Sequence, residues 1–437
     1  MTSHDTPVEA TFFHSFFMTF RLFTSSMDFC NALIARFALT FEMCTPVTPN
    51  DPLNNMSKVT PIRLRVYNVM KSWLELHWRM ETDEVVLPAI SRWAGSQLSM
   101  ALPVPAERLM DLVHKRVKES QLGIRHEGQQ ALTKAKKLLG PNKEENFKSV
   151  CPTPIISKAL MTQLRAATTN PSVLPLTEFD PTELARQITL MESKLFQAIK
   201  SEEVIGQLFN KKPGLAVNVR AMSAMSTKMT GWFTETILNE VDLRKRTAIL
   251  KFLIKLGSKL LEMQNYNALM SVMSALNSSM ILRLKRTWEG VGNKARVLFE
   301  TMNKAVSHQR NYAEYRATLR HACTPCIPFL GVYLTDMTFC HEGNPTHRSA
   351  PHLPGVQLIN FDKYQKMTKI MNEIERFQVP FNFKEVPQLA AYIRTSLASL
   401  MSYQDSADEL YQRSLNIEPR EQTCLPPPSL PPSSSTV

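Results

Sequence analysis

Glycine is scarce, at 13 of 437 residues, which argues against a turn-rich all-β chain. No glycine-rich phosphate loop, nucleophile elbow or His-Glu-x-x-His helix is present. Covalent and metal-assisted catalysis therefore lack a candidate site, and neither a cofactor nor a metal is expected. The seven cysteines are odd in number and irregularly spaced, which excludes a disulfide framework and leaves reduced thiols. No charge-free apolar stretch reaches the roughly 18 residues needed to span a bilayer. The opening MTSHDTPVEA carries Asp5 and Glu9 with no basic segment before an apolar core, so it does not read as a secretory signal. A soluble, cytoplasmic protein is expected.

What is present is apolar helix. Hydrophobic residues make up 43% of the chain, 23 of its residues are methionine, and apolar positions recur at three- and four-residue spacing, the signature of a mainly α protein. The length exceeds one ordinary core, so more than one domain is expected. The formal charge of +12 permits attraction to nucleic acid, an anionic membrane or an acidic protein face without choosing among them.

Residues 11 to 43 are dense in aromatics, with Leu33, Phe37 and Phe41 at helical spacing. TPVTPNDPLNN then breaks the pattern with three prolines, which cannot donate to a helix ladder. After it, Val66, Val69, Trp73 and Leu76 form a stripe, and short helical patterns continue to about residue 139. Residues 141 to 173 lose the periodicity and read as a linker. Asp180 as N-cap, Pro181 at the first helical position and Glu183 as a capping-box acid restart it. Further stripes run through Leu184, Ile188, Met191 and Leu195, then Met222, Met225, Met229 and Trp232, then Ile249, Leu253, Leu256, Leu260 and Met263, then Met367, Met371 and Ile374. These methionines read as core. The Pro/Ser-rich end, CLPPPSLPPSSSTV, reads as a disordered tail.

Two clusters have chemical alternatives. Cys323, Cys326, Cys340 and His341 are zinc-type ligands, but their spacing is poor for tetrahedral closure, and packing or surface thiols are the simpler reading. Arg283-Leu-Lys285-Arg286-Thr-Trp288 combines charge with an aromatic, yet no second patch or nucleic-acid module accompanies it. Most open is PCIPFLGVYLTDMTFCHEGNP, residues 325 to 345, which fits a buried strand, half a metal site or a wedge for another molecule.

An ordered series of motifs narrows that choice. It runs Asn265-Tyr266-Asn267, Leu276 to Ser279, Arg283 to Trp288, Asn311-Tyr312-x-x-Tyr315-Arg316, Pro325-Cys-x-Pro328-Phe329, Glu342-Gly-Asn-Pro345, Ile359-Asn-Phe361-x-Lys363, and Ser414 with Glu418-Pro-Arg420. The series resembles the RasGEF family, the guanine-nucleotide exchange factors of Ras-like GTPases. MTFRLFTSS and IRLRVYNVMKSWLELHW resemble its companion helical module, the Ras exchanger motif, and Thr2-Ser-His-Asp5 resembles the end of that module's usual first helix, so the module is expected to be shortened at its start.

The resemblance implies an all-α fold: a Ras exchanger motif domain over residues 1–140, a linker over 141–173, a catalytic domain with a protruding helical hairpin over 174–420, and the tail over 421–437. It implies a non-covalent catalyst that promotes GDP release from a Ras-family small GTPase, nucleotide-free or GDP-bound, by opening switch I with the hairpin and holding switch II. It assigns Glu342, Thr338 and Asn344 to the hairpin's catalytic end. Met270, Tyr312 and Phe329 become an apolar pocket for a GTPase aromatic, with Asn277 at its edge. Arg246 and Trp288 are structural, and Ala224 departs from members with arginine there. The chain is expected to act as a monomer, without nucleic acid, and its charge suits transient recruitment to an anionic plasma-membrane leaflet. A Rap- or Ral-type partner, or a catalytically silent GTPase-binding scaffold, are the alternatives.

Overall fold

A computed structural model describes residues 9–42, 52–122, 151–166, 174–211, 214–398 and 403–419. The readings made for residues 2–5, for 128–139, for the outer parts of the linker and for the 421–437 tail lie outside those residues. Among the described residues the fold is all-α, with one two-stranded antiparallel hairpin, His347–Ser349 against Gln357–Ile359. No described helix is long and apolar enough to cross a membrane. The chain divides into two compact units.

The first unit comprises Met1–Ser149, Ile199–Val219 and Leu330–Arg376. Its core includes Phe17, Phe20, Phe37, Met70, Trp73 and Leu74, from the helices Ala10–Thr19, Ser26–Glu42 and Pro52–Leu76 and the 3₁₀ turn between the first two. The proline-rich break is shorter than its sequence implies, because the last helix already starts at Pro52, where a first-turn proline lacks only a donor the helix does not use. The expected stripe is correct at Val66, Val69 and Trp73, which are buried. Leu76 is 56% exposed because the helix ends there, and Leu74 takes the core position.

A buried carboxylate organises this unit. Asp83 is fully covered and accepts from Arg21 Nε at 2.9 Å, Ser26 Oγ at 2.7 Å, Trp73 Nε1 at 2.9 Å, the Arg79 amide at 3.0 Å and Thr82 Oγ1 at 3.0 Å, with a second Arg21 N–H on Oδ2. Burial alone would raise its pKa, but the Arg21 guanidinium, then Ser26 and the Arg79 amide, hold it below the ordinary aspartate value.

The second unit comprises Val150–Ala198, Arg220–Phe329 and Phe377–Val437. Its central helix, Leu243–Glu262, is capped by Asp242, which accepts from the Lys245 amide at 2.8 Å, and buries Leu250, Leu253, Ile254, Leu256 and Leu260. Gly257 on this helix is required by packing: a Cβ there would meet Met302 Sδ at 2.7 Å. The restart at Asp180 is as read, with Oδ1 accepting from the Thr182 and Glu183 amides at 2.8 and 3.1 Å. Glu183, however, is turned into the protein, where it accepts from Gln187, Arg186 and the Ile155 amide instead of closing a capping box.

Two polar knots close this unit. Arg246, 2% exposed, donates to Thr287 Oγ1 at 2.9 Å and to the carbonyls of Glu240 and Val241, and faces Glu418 at 3.5 Å. Glu418 also accepts from the Arg286 and Thr287 amides and the Thr287 hydroxyl, while Arg283 reaches the Ser414 and Glu418 carbonyls. The Arg283-to-Trp288 basic run is thus a clamp on the end of the last described helix, Tyr403–Ile417, and the residue after it, and Trp288 Nε1 donates to the Ile281 carbonyl at 3.0 Å. The other knot joins Asn265 to Thr189 at 3.0 Å and Asn267 to Glu192 and Ser226 at 2.8 Å each. Glu192 is fully buried and its Oε2 has no hydrogen-bond partner among the described residues. Burial pushes its pKa up to about 7, against the opposing hydrogen bonds of Asn267 and Asn265.

Two predictions follow from the buried carboxylates. Asp83→Asn leaves the Arg21 guanidinium buried without its counter-charge and should cost roughly 3–5 kcal/mol in urea unfolding. Glu192 carries a raised folded pKa, so the folded protein holds a proton that the unfolded chain sheds above about 4.5. Its contribution is full below that pH and is lost as pH rises through about 7. Thermal unfolding of Glu192→Gln across this range should show a flatter pH dependence than the native chain, and parallel profiles would refute the assignment.

Candidate functional site

The stretch over residues 325–345 is helical rather than extended through its centre. It forms the helix Leu330–Glu342, and among the described residues no group of three or more His, Cys, Asp or Glu could hold a metal ion. Tyr333 and Met337 are buried and Cys340 is half-buried, as their shared face requires. Cys340 Sγ lies 3.9 Å from the Lys363 carbonyl, and burial raises its thiol pKa, which suits a packed thiol. Glu342 is exposed at the helix end.

The return helix, Phe361–Phe377, buries Tyr364, Met367, Met371 and Ile374. Asn344 clasps the two helices: its Nδ2 donates to the Cys340 carbonyl at 2.8 Å and its Oδ1 accepts from Lys366 Nζ at 3.0 Å. Asn360 forms a second clasp, through its amide to the Thr346 carbonyl and its Nδ2 to the Pro345 carbonyl, at 2.9 and 2.8 Å. A Cβ on Gly343 would approach the Phe339 carbonyl to 2.9 Å. The Glu-Gly-Asn-Pro and Ile-Asn-Phe motifs are therefore the two halves of one fastening that fixes where Glu342 stands.

Thr338 lies one turn before Glu342, half-buried, with its hydroxyl donating to the Leu334 carbonyl at 3.0 Å and accepting from Asn210 at 3.4 Å. Gln207 donates to the neighbouring Met337 carbonyl at 3.3 Å. On the N-terminal side of the same unit, Phe12 packs on Phe361 and Phe23 on Tyr364, each at 4.8 Å between ring centroids, while His14 meets Asn372 at 3.0 Å. These supports are tertiary, and periodicity carries no trace of them. Phe339, 65% exposed one residue after Thr338, also went unmarked, though a bulky aromatic off the apolar stripe was the available signal.

In the second unit, three of the proposed pocket residues stand on elements tied to Tyr315. The helix carrying Tyr312 and Tyr315 contains three consecutive left-handed residues, Arg310, Asn311 and Tyr312. Asparagine tolerates this conformation, whereas other L-residues lose roughly 1–2 kcal/mol each. Arg316 holds the turn by donating to the Asn311 carbonyl at 2.9 Å and to its Oδ1 at 3.2 Å. Tyr312 is thereby set 6.2 Å from the Phe329 ring. Tyr315, fully buried, accepts from the Phe329 amide at 2.7 Å and packs edge-on against Tyr266 at 5.3 Å.

Tyr266 opens the helix Tyr266–Leu276 that carries Met270, and its amide donates to the Ile327 carbonyl at 2.9 Å, two residues before Phe329. Met270 and Phe329 are half-buried. Asn277 is exposed at the C-terminus of that helix, where its side chain donates to Asn303 at 2.7 Å. The structure thus ties Met270's helix, Tyr312 and Phe329 together through Tyr315, and sets Thr338, Glu342 and Asn344 on the hairpin of the other unit. Tyr315→Phe removes the acceptor for the Phe329 amide and should lower unfolding stability by about 1 kcal/mol, measurable by chemical denaturation.

The family model of the RasGEF domain matches residues 183–365, and that of the RasGEF N-terminal motif matches residues 1–92. Cell division control protein 25 of Candida albicans is 30% identical over 433 residues, 96% of this chain and 29% of that protein. Its namesake in Saccharomyces cerevisiae is 29% identical over 434 residues, 96% of this chain and 26% of that protein. Ras guanine nucleotide exchange factor J of Dictyostelium discoideum is 28% identical over 414 residues, 93% of this chain and 45% of that protein. The chain thus spans less than half the length of each of these relatives. With an N-terminal RasGEF motif followed by a RasGEF domain, it belongs to the RasGEF family.

Proposed function

We propose that this chain is a guanine-nucleotide exchange factor for a Ras-like small GTPase. The observation that carries the reading is the hairpin: a helix buried along its base, fastened at its tip by Asn344 and Asn360, and ending in an exposed carboxylate at Glu342. Such an element can enter another protein without rearranging, so little ordering entropy is lost on binding.

In this reading no bond is made or broken. The hairpin displaces switch I, and Glu342 places negative charge where the nucleotide's phosphates and magnesium ion were held. A carboxylate there repels returning phosphate and takes over cationic contacts released by the nucleotide. The pocket of Met270, Tyr312 and Phe329 buries a switch II aromatic, with Asn277 as the polar edge contact, and so holds the GTPase while its nucleotide leaves. Exchanger and nucleotide each weaken the other's affinity by the same factor. GDP therefore leaves faster from the ternary complex, and GTP in turn expels the exchanger. Thr338 lies beside Glu342 with its hydroxyl already bonded, and its part is contact through the methyl group. Asn344 acts on the GTPase through Glu342, by fixing the helix end.

A silent GTPase-binding scaffold is the second reading. It is favoured by Ala224, which departs from those family members with arginine there and lines a cavity of about 230 Å³ with Lys228 and Arg394, and by the small side chain at Thr338. Release of fluorescent GDP from Ras-, Rap- and Ral-type GTPases, with excess GTP and this chain added, separates the two. Acceleration with at least one is expected, and binding to the nucleotide-free GTPase without acceleration from any supports the scaffold. Glu342→Ala should slow the accelerated release by about tenfold or more, while its exposed position leaves the melting temperature unchanged. An unchanged release rate would return Glu342 to an ordinary surface acid.

A further inference from the structure

Between Gly343 and Phe361 the hairpin carries a tongue that the fastening of its helices does not require. Its two strands are exposed at every position, and an isolated two-stranded ribbon has little stability of its own in water. Residues 349 to 361, SAPHLPGVQLINF, contain no Asp, Glu, Lys or Arg. Leu353, Val356, Leu358 and Ile359 are 59%, 42%, 48% and 42% exposed. The tip is nevertheless ordered: the Ala350 amide donates to the Val356 carbonyl at 2.9 Å, the Val356 amide to the Leu353 carbonyl at 3.1 Å, and Gly355 takes the turn at φ +83°. Asn360 anchors its base through the Thr346 and Pro345 carbonyls. A closed loop that keeps its aliphatic side chains in water contributes nothing to a core, and a clustered apolar surface of this kind marks a contact with something else.

The charge around the tip says what that contact is. The whole segment 343–361 holds no acid, and its ionisable groups are His347, Arg348 and His352. On the return helix the exposed Lys366 stands at the tongue's base, donating to Asn344 Oδ1 at 3.0 Å. The nearby acids are Asp362, which pairs with Arg348 at 3.2 Å, and Glu342 at the end of the preceding helix. An uncharged aliphatic tip flanked by His347, Arg348, His352 and Lys366, on a chain of net charge +12, is complementary to an anionic bilayer: the tip enters the headgroup boundary and these groups meet lipid phosphates and carboxylates.

We propose that the 350–359 tongue is a membrane-contact element that inserts Leu353 and Val356 into an anionic leaflet. This placement is independent of the exchange reading, since vesicle binding is measured without any GTPase. The full chain, sedimented with phosphatidylcholine vesicles containing phosphatidylserine, should bind more strongly than to phosphatidylcholine alone. Leu353→Asp with Val356→Asp should weaken binding to the anionic vesicles about tenfold or more while leaving the melting temperature and lipid-free GDP release unchanged. Leu353→Ser with Val356→Ser, a milder loss of apolar surface without new charge, should fall between. Equal binding of the native chain and both variants would overturn the proposal. So would loss of lipid-free exchange with vesicle binding retained, which would make the tongue a GTPase contact. A native chain that binds anionic vesicles but accelerates no GTPase would sink the exchange reading and leave this one standing.

Discussion

The Arg21–Asp83 pair is the constraint from which the first unit's arrangement descends. A carboxylate removed from water persists as an anion only if its lone pairs are taken up, and Asp83 draws donors from four separate stretches of chain: Arg21, Ser26, Trp73 and the Arg79–Thr82 segment. That requirement fixes the short turn between the first two helices. The turn in turn presents Phe23 to Tyr364, and the helix before it presents Phe12 to Phe361. The return helix of the hairpin thus rests on aromatic rings whose positions are set by an ion pair.

Helices and their buried stripes were largely legible in the sequence because they depend on local spacing. Met222, Met225, Met229 and Trp232 are buried as expected, and so are Met367, Met371 and Ile374. The misreadings occurred where a distant partner competes with a local rule. Glu183 has the position of a capping-box acid, but it accepts from Gln187 and the Ile155 amide instead of from its own helix start. Met191 and Leu195 hold stripe positions yet are only half-buried, while Glu192 beside them lies in the interior because Asn267 awaits it there. Leu76 follows the spacing and fails only because the helix stops.

The site was legible in a different way. The motif residues could be found from their order, but what they do for one another could not. Asn344, marked as a member of the catalytic end, binds both hairpin helices at once. Tyr315, quoted only as part of a motif, connects the Phe329 backbone to the ring of Tyr266. Arg283, Ser414 and Glu418, far apart in sequence, form one clamp. Much of what looks like a recognition motif is thus scaffolding for a small number of exposed groups.

The left-handed turn at Arg310, Asn311 and Tyr312 divides labour between neighbours. Asn311 and Arg316 stabilise an unusual backbone, whereas Tyr312 supplies the ring that faces Phe329. Since backbone and anchor set the direction of position 312, its side chain can change size or polarity without rebuilding the turn. A lineage could therefore vary the ring that faces Phe329 by single substitutions at that position, with the fold insulated from the change.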